Sequence, residues 1–205
     1  MDIDELFEKY DARQAIADTD KKWVYAKARP VDLTRERALA EDLGAILRRA
    51  IDVYEWQGVS SNNVFWTGTD TPVRMICTKT PDTKDYVILV NPEIREQGKI
   101  QFKSPDDMPE QCGSFPGKAF EVMRNEYVKI AGMLLDGQEI ELEYRLTLDE
   151  ILQYIHFKRG QMMTLEQQET IDKAAAVCMA QHEIDHLGGR VLPDIVLYSY
   201  SAMPD

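Results

Sequence analysis

Histidine is scarce in this 205-residue chain, with three in all, and cysteine is equally so. Cys77, Cys112 and Cys178 cannot all pair with one another, which excludes a disulfide-built scaffold and points to a reducing compartment. No run of about 18 apolar residues is present, which excludes a transmembrane helix. The N-terminal Met1-Asp-Ile-Asp-Glu-Leu-Phe7 has neither a basic segment nor a long apolar one, so it does not read as a secretory signal, and the expected location is the cytoplasm. Positive charge is also short: 24 Lys and Arg stand against 36 Asp and Glu, a net charge of −12. The basic pairs that exist, such as Lys21-Lys22 and Arg48-Arg49, are scattered. Direct binding to nucleic acid, which needs basic surface to displace counterions, is not expected.

What is present fits one globular domain spanning residues 1–205, with 44% hydrophobic and 29% charged residues. Ile3, Leu6, Phe7 and Tyr10 follow a helical spacing, so a short helix is predicted within 3–17, in an N-terminal extension covering 1–19. Leu39, Leu43, Ile46, Leu47, Ala50, Ile51 and Tyr54 recur every three or four residues and predict a long amphipathic helix, capped by Asp32 or Thr34. Gly58 then begins a polar stretch, Ser60-Ser61-Asn62-Asn63, with the composition of a loop. Strands are predicted at Val73–Cys77, Tyr86–Val90, Tyr127–Ala131 and Ile140–Tyr144. Glu110 to Gly117 is punctuated by Gly and Pro and reads as a loop. Two capping boxes, Thr147-x-x-Glu150 and Thr164-x-x-Gln167, open helices, and Gly188-Gly189 stops the second. Helices on either side of a run of strands predict an α+β fold.

The last helix carries the chemistry. His182-Glu183-Ile184-Asp185-His186 reads H-E-x-x-H, and residues i and i+4 lie one above the other, so both imidazoles can reach one metal ion. Glu183 lies about 100° around the helix from His182, close enough to serve a metal-bound water as general base. His156, on the preceding helix, reads as a surface residue. A catalytic site of this kind usually has three protein ligands and an open position. The short stretch beyond Gly188 holds no His or Glu, so the usual third ligand of zinc peptidases is missing. Cysteine is the natural substitute. Cys178 and His186 are about 12 Å apart along the helix axis at 1.5 Å per residue, too far for three ligands to converge, so Cys178 reads as a small buried residue. Cys77 lies inside an apolar strand and reads the same way. Cys112, among Gly, Ser and Pro in a loop, is the best candidate.

With these residues assembled the chain resembles the peptide deformylases, which carry G-x-G-x-A-A-x-Q, E-G-C-x-S and Q-H-E-x-D-H in that order. The third motif is intact at Gln181–His186. The second stands as Glu110-Gln111-Cys112-Gly113-Ser114, followed by Phe115-Pro116-Gly117. The first survives as Trp56-Gln57-Gly58-Val59-Ser60-Ser61-Asn62-Asn63, which keeps only its second glycine. The resemblance covers roughly residues 20–198. It implies mixed or antiparallel sheets packed around a central C-terminal helix that bears the H-E-x-x-H segment.

The resemblance implies that Cys112, His182 and His186 hold one divalent metal and that Glu183 activates its water. The substrate would be the N-terminal formyl-methionine of nascent polypeptides, with the oxyanion met by the Gly113 backbone N–H and the Asn63 side-chain amide. Gly58, Val59, Gln111, Phe115 and Arg124 would line the substrate groove. Iron(II) is the metal the resemblance favours, while a Cys–His–His donor set also suits zinc, nickel or cobalt. Asn63 stands where the family has a longer glutamine, Gln111 replaces a glycine and must turn its side chain away, and Ser60 and Ser61 replace alanines. A helical insertion is expected at 145–172. No basic helix follows Val196, so ribosome affinity is expected to be weak, and the protein is expected to be a monomer. The competing readings are another H-E-x-x-H peptidase with a different third ligand, and a catalytically impaired deformylase relative.

Overall fold

A computed structural model describes residues 4–5, 21–64, 69–105, 108–158, 160 and 162–201. The helix predicted within 3–17 lies almost entirely outside these residues. The described chain begins with the short helix α1 (Lys21–Val24) and the long helix α2 (Arg37–Tyr54). Strands β1 (Gly58–Ser60), β2 (Met75–Lys79) and β3 (Tyr86–Gln97) follow, and then the short strands β4 (Gln101–Lys103), β5 (Lys118–Glu121) and β6 (Met123–Asn125). The hairpin β7 (Tyr127–Met133) and β8 (Glu139–Arg145) leads into helices α3 (Leu148–Ile155) and α4 (Leu165–Leu187), a one-turn helix α5 (Leu192–Ile195) and β9 (Tyr198–Ser201).

The main sheet has five strands in the order β1-β2-β3-β7-β8, antiparallel at every pairing. Its side chains alternate between two cores, as the two-residue period of a strand requires. Val59, Met75, Cys77 and Val90 join Leu43, Ile46, Leu47 and Ile51 of α2 in one core. Their neighbours Ile76 and Leu89, with Val128 and Ile130, join Ile171, Ala174, Val177, Cys178 and Leu187 of α4 in the other. Helix α4 is buried over much of its surface towards its C-terminal half, including Gln181, His182, Glu183 and His186. Because Val59 faces α2, its neighbours Gly58 and Ser60 face the α4 side. β4 pairs with β6 and β5 with β9, giving two small ribbons beside the main sheet.

Three expectations need correction. Neither Asp32 nor Thr34 caps α2: the N-cap is Glu36, with no side-chain cap bond. The Asp32 carboxylate is spent a turn earlier, accepting from the Thr34 backbone N–H and hydroxyl, while Glu36 pairs with Arg29 at 2.6 Å. The polar stretch from Gly58 is not simply loop. Residues 58–60 form β1 against β2, and Ser60, Ser61, Asn62 and Asn63 are all buried. Four strands, β4, β5, β6 and β9, were not anticipated, since three or four residues carry no periodicity.

Both capping boxes form as expected, Thr147 with Glu150 and Thr164 with Gln167. Between them, Ile151, Tyr154 and Phe157 join the α4 core, and Lys173 reaches Glu150 at 2.6 Å to tie α3 to α4. Gly188 caps α4, and Gly189 follows with φ +74° against the Tyr25 carbonyl, where a Cβ would stand only 2.6 Å from the oxygen. Thr164→Ala removes one cap acceptor and is expected to lower unfolding stability by about 1 kcal/mol in urea titration.

Candidate metal centre

Three segments meet at the second half of α4. The helix presents His182 and His186 one turn apart, and the loop before β5 presents Cys112. The turn after β1 presents Asn63. The ligand atoms of Cys112, His182 and His186 lie within 4.8 Å of one another, and all three residues are buried. His182 Nε2 is 3.0 Å from His186 Nε2, which is 3.3 Å from Cys112 Sγ. Around a four-coordinate ion with metal–nitrogen near 2.0–2.1 Å and metal–sulfur near 2.3 Å, neighbouring donors stand about 3.3–3.7 Å apart. Two of the three separations fall just short of that spacing and the whole set lies within 4.8 Å, so the three donors could close on one divalent cation.

The imidazole that binds a metal through one nitrogen needs a partner on the other. His182 Nδ1 is 3.0 Å from Glu110 Oε2, so the Nδ1–H donates to the carboxylate and Nε2 keeps its lone pair for the site. Glu110 is itself held by Arg124, whose Nε and Nη2 donate to its two oxygens at 2.7 Å each. Burial works against the Glu110 carboxylate, but Arg124 and His182 outweigh it and hold its pKa at about 2. Arg124 Nη1 also reaches Asp185 at 2.7 Å, and Gln181 exchanges hydrogen bonds with the Asn125 backbone at 3.0 and 2.9 Å. The helix and β6 are thus locked together around the ligands.

Glu183 is 2% exposed, next to Gly58, and burial raises its pKa to about 7 although His182 and the Ser60 hydroxyl work in the opposite direction. A carboxyl in that range would suit general-base work near neutrality. Its Oε2 is buried with no hydrogen-bond partner among the described residues, an acceptor free for a water. Burial lowers the pKa of His186, while Cys112 and Glu110 outweigh burial and raise that of His182.

Asn63 Nδ2 lies 3.2 Å from His186 Nε2, 3.7 Å from Cys112 Sγ and 3.1 Å from Ser114 Oγ, so the amide faces the same small volume. Gly113 follows Cys112 with the Trp56 indole against its α-carbon: a Cβ there would stand 2.3 Å from the ring. Gln111 points outward and is exposed. Phe115 is half-buried, edge-on to Tyr25 and Phe120. Cys77 and Cys178 are buried outside the cluster, and His156 is exposed with its ring nitrogen on the Leu152 carbonyl.

One of the expected groove residues is elsewhere, and another has its side chain turned into the core. Arg124 is 3% exposed with all three guanidinium nitrogens engaged by Glu110 and Asp185, so it braces the site from behind and does not line a groove. The Val59 side chain is fully buried in the α2 core, which leaves only its backbone towards the site. Sequence reasoning missed Glu110, Ser114, Asp185 and Gln181 as supports. The signal for Glu110 was available: an acid two residues before a thiolate ligand, beside a histidine ligand that needs a second partner.

The chain matches the family model of polypeptide deformylase over residues 14–197. It is 32% identical over 149 residues to the peptide deformylase of Aquifex aeolicus, covering 69% of this chain and 65% of that protein. It is 26% identical over 130 residues to that of Buchnera aphidicola, covering 62% and 56%. The chain thus spans a little over half to two thirds of these curated relatives. The structure resembles class I type b peptide deformylase from Acinetobacter baumannii with a TM-score of 0.64 at 20% identity, covering 88% and 97% of the two chains. It also resembles the peptide deformylase of Thermotoga maritima with a TM-score of 0.62 at 19% identity, covering 89% and 97%. At these identities the likeness is one of fold. Glu110→Gln, which weakens the hold on His182, is expected to reduce metal affinity by roughly 10–100-fold in chelator competition.

Proposed function

The chain belongs to the polypeptide deformylase family, and from that premise we propose that it hydrolyses the N-formyl group from N-terminal formyl-methionine. The observation that carries this reading is the convergence of Cys112 Sγ and the two Nε2 atoms on one point beside a buried Glu183. A divalent cation held there would acidify a water and polarise the formyl carbonyl.

The chain's own residues do the rest. Glu183 Oε2, buried and unpartnered, takes a proton from the attacking water. As the water oxygen bonds to the formyl carbon, negative charge grows on the formyl oxygen. The Asn63 Nδ2–H, aimed into the ligand cluster, and the Gly113 backbone N–H donate to it. Glu183 then returns the proton to the amine nitrogen, the carbon–nitrogen bond breaks, and formate leaves with a free methionine amino group. Glu110 keeps His182 in the tautomer that binds through Nε2. Gly58 beside Glu183 and Phe115 at the rim are the groove residues consistent with this arrangement. Iron(II) is our reading of the metal, among the ions that a thiolate and two imidazoles accept.

Formate release from a formyl-methionyl peptide by anaerobically prepared protein is the direct assay. Glu183→Gln is expected to keep its metal and lose at least about 10²-fold in rate, and equal rates would overturn the role of Glu183. Cys112→Ser is expected to lose both metal and activity, whereas a peptidase using another third ligand would keep both. Activity should decay in air in step with iron loss, and full activity in air with a different metal would contradict iron(II).

A further inference from the structure

The buried Ser60–Asn63 pair stands out because the hydroxyl and the backbone N–H of one residue together hold an amide aimed at the reacting centre. Asn63 Oδ1 accepts from the Ser60 backbone N–H at 3.0 Å and from the Ser60 Oγ at 2.6 Å, and the one proton of that hydroxyl is also within reach of the Glu183 carboxyl. A backbone N–H can only donate, so the atom facing it must be the carbonyl oxygen, and the NH₂ must face Cys112, Ser114 and His186. The turn that carries Asn63 has little freedom to help. Ser61 Oγ donates to the Val73 carbonyl, Asn62 Nδ2 donates to the Ala26 carbonyl at 2.7 Å, and the Asn63 N–H donates to the Ser60 carbonyl at 3.0 Å. Reach and direction of this short amide are therefore set by its own side chain and by Ser60, which is fully buried.

We infer that Ser60 is a positioning residue for the reaction, holding the Asn63 amide so that its N–H points to the substrate's developing oxyanion. This deepens the proposed function and rests on it. It also accounts for two departures in the first motif at once: an oxygen is gained at position 60, and a methylene is lost at position 63. The heavy-atom count of the pair is conserved, the kind of exchange a packed interior tolerates best.

The test is a double-mutant cycle with a spectroscopic arm. Ser60→Ala is expected to lower kcat for formate release roughly threefold to tenfold with KM unchanged. Asn63→Gln alone adds a methylene against the ligands and is expected to lose at least as much. The double variant, Ser60→Ala with Asn63→Gln, is expected to exceed both singles. Losses that simply add would overturn the pairing. In zinc-loaded protein labelled with ¹⁵N-asparagine, the Asn63 side-chain NH₂ should give two separate, exchange-protected signals that broaden or shift in Ser60→Ala. An amide already exchanging like an exposed one in the unmodified protein, or one unaffected by the substitution, would overturn the inference whatever the activity. The latter is also the outcome expected if Ser60 serves only Glu183. If the unmodified protein releases no formate, the deformylase reading fails, and the spectroscopic arm still decides the pairing.

Discussion

Glu110 sits at the centre of a chain that runs from the half-buried Asp185 through the buried Arg124 to the buried His182. One guanidinium binds a carboxylate on the loop and another on the helix, so the element bearing Cys112 and the element bearing the histidines are fastened at one point. Desolvating such charges costs several kcal/mol, and a buried ion pair is weak evidence of stability. What the pair provides here is orientation. With Glu110 kept ionised, His182 Nδ1 must donate to it, and Nε2 is left with its lone pair beside His186 and Cys112. Breaking the pair would leave a buried charge uncompensated as well as a free imidazole.

The sheet makes the second contribution. Strand alternation sends Val59 into the α2 core and turns Gly58 and Ser60 towards α4. The absence of a side chain at Gly58 gives the Glu183 carboxyl room, since a Cβ would come within 3.2 Å of its Oε1. The same burial that raises the pKa of Glu183 also keeps its second oxygen away from protein donors. Stability and reactivity are in tension at this position: an unpartnered buried acceptor is costly, and here it is the group the proposed chemistry needs.

Much of this could be read from the residues. H-E-x-x-H pointed to the two histidines that the structure brings together with Cys112, with Glu183 buried beside them, and both capping boxes opened the helices where expected. The failures share a cause, which is that the deciding partner is distant in sequence. Asp32 has the composition of a cap but is taken by Thr34, and Arg124 reads as a groove residue until Glu110 and Asp185 close around it. Ser60-Ser61-Asn62-Asn63 reads as solvent-facing loop because its polar groups find buried backbone partners that composition cannot reveal. The three- and four-residue strands are set by their pairing partners, such as Phe102 opposite Arg124, and leave no pattern of their own.

The central claim is that one cation is held by a thiolate and two imidazoles towards the C-terminal end of α4. X-ray absorption at the edge of the bound metal, on protein prepared without oxygen, tests it most directly. A single sulfur scatterer at about 2.3 Å with two imidazole nitrogens at about 2.0–2.1 Å is the predicted first coordination sphere. A sphere without sulfur, or one with a single imidazole, would contradict it.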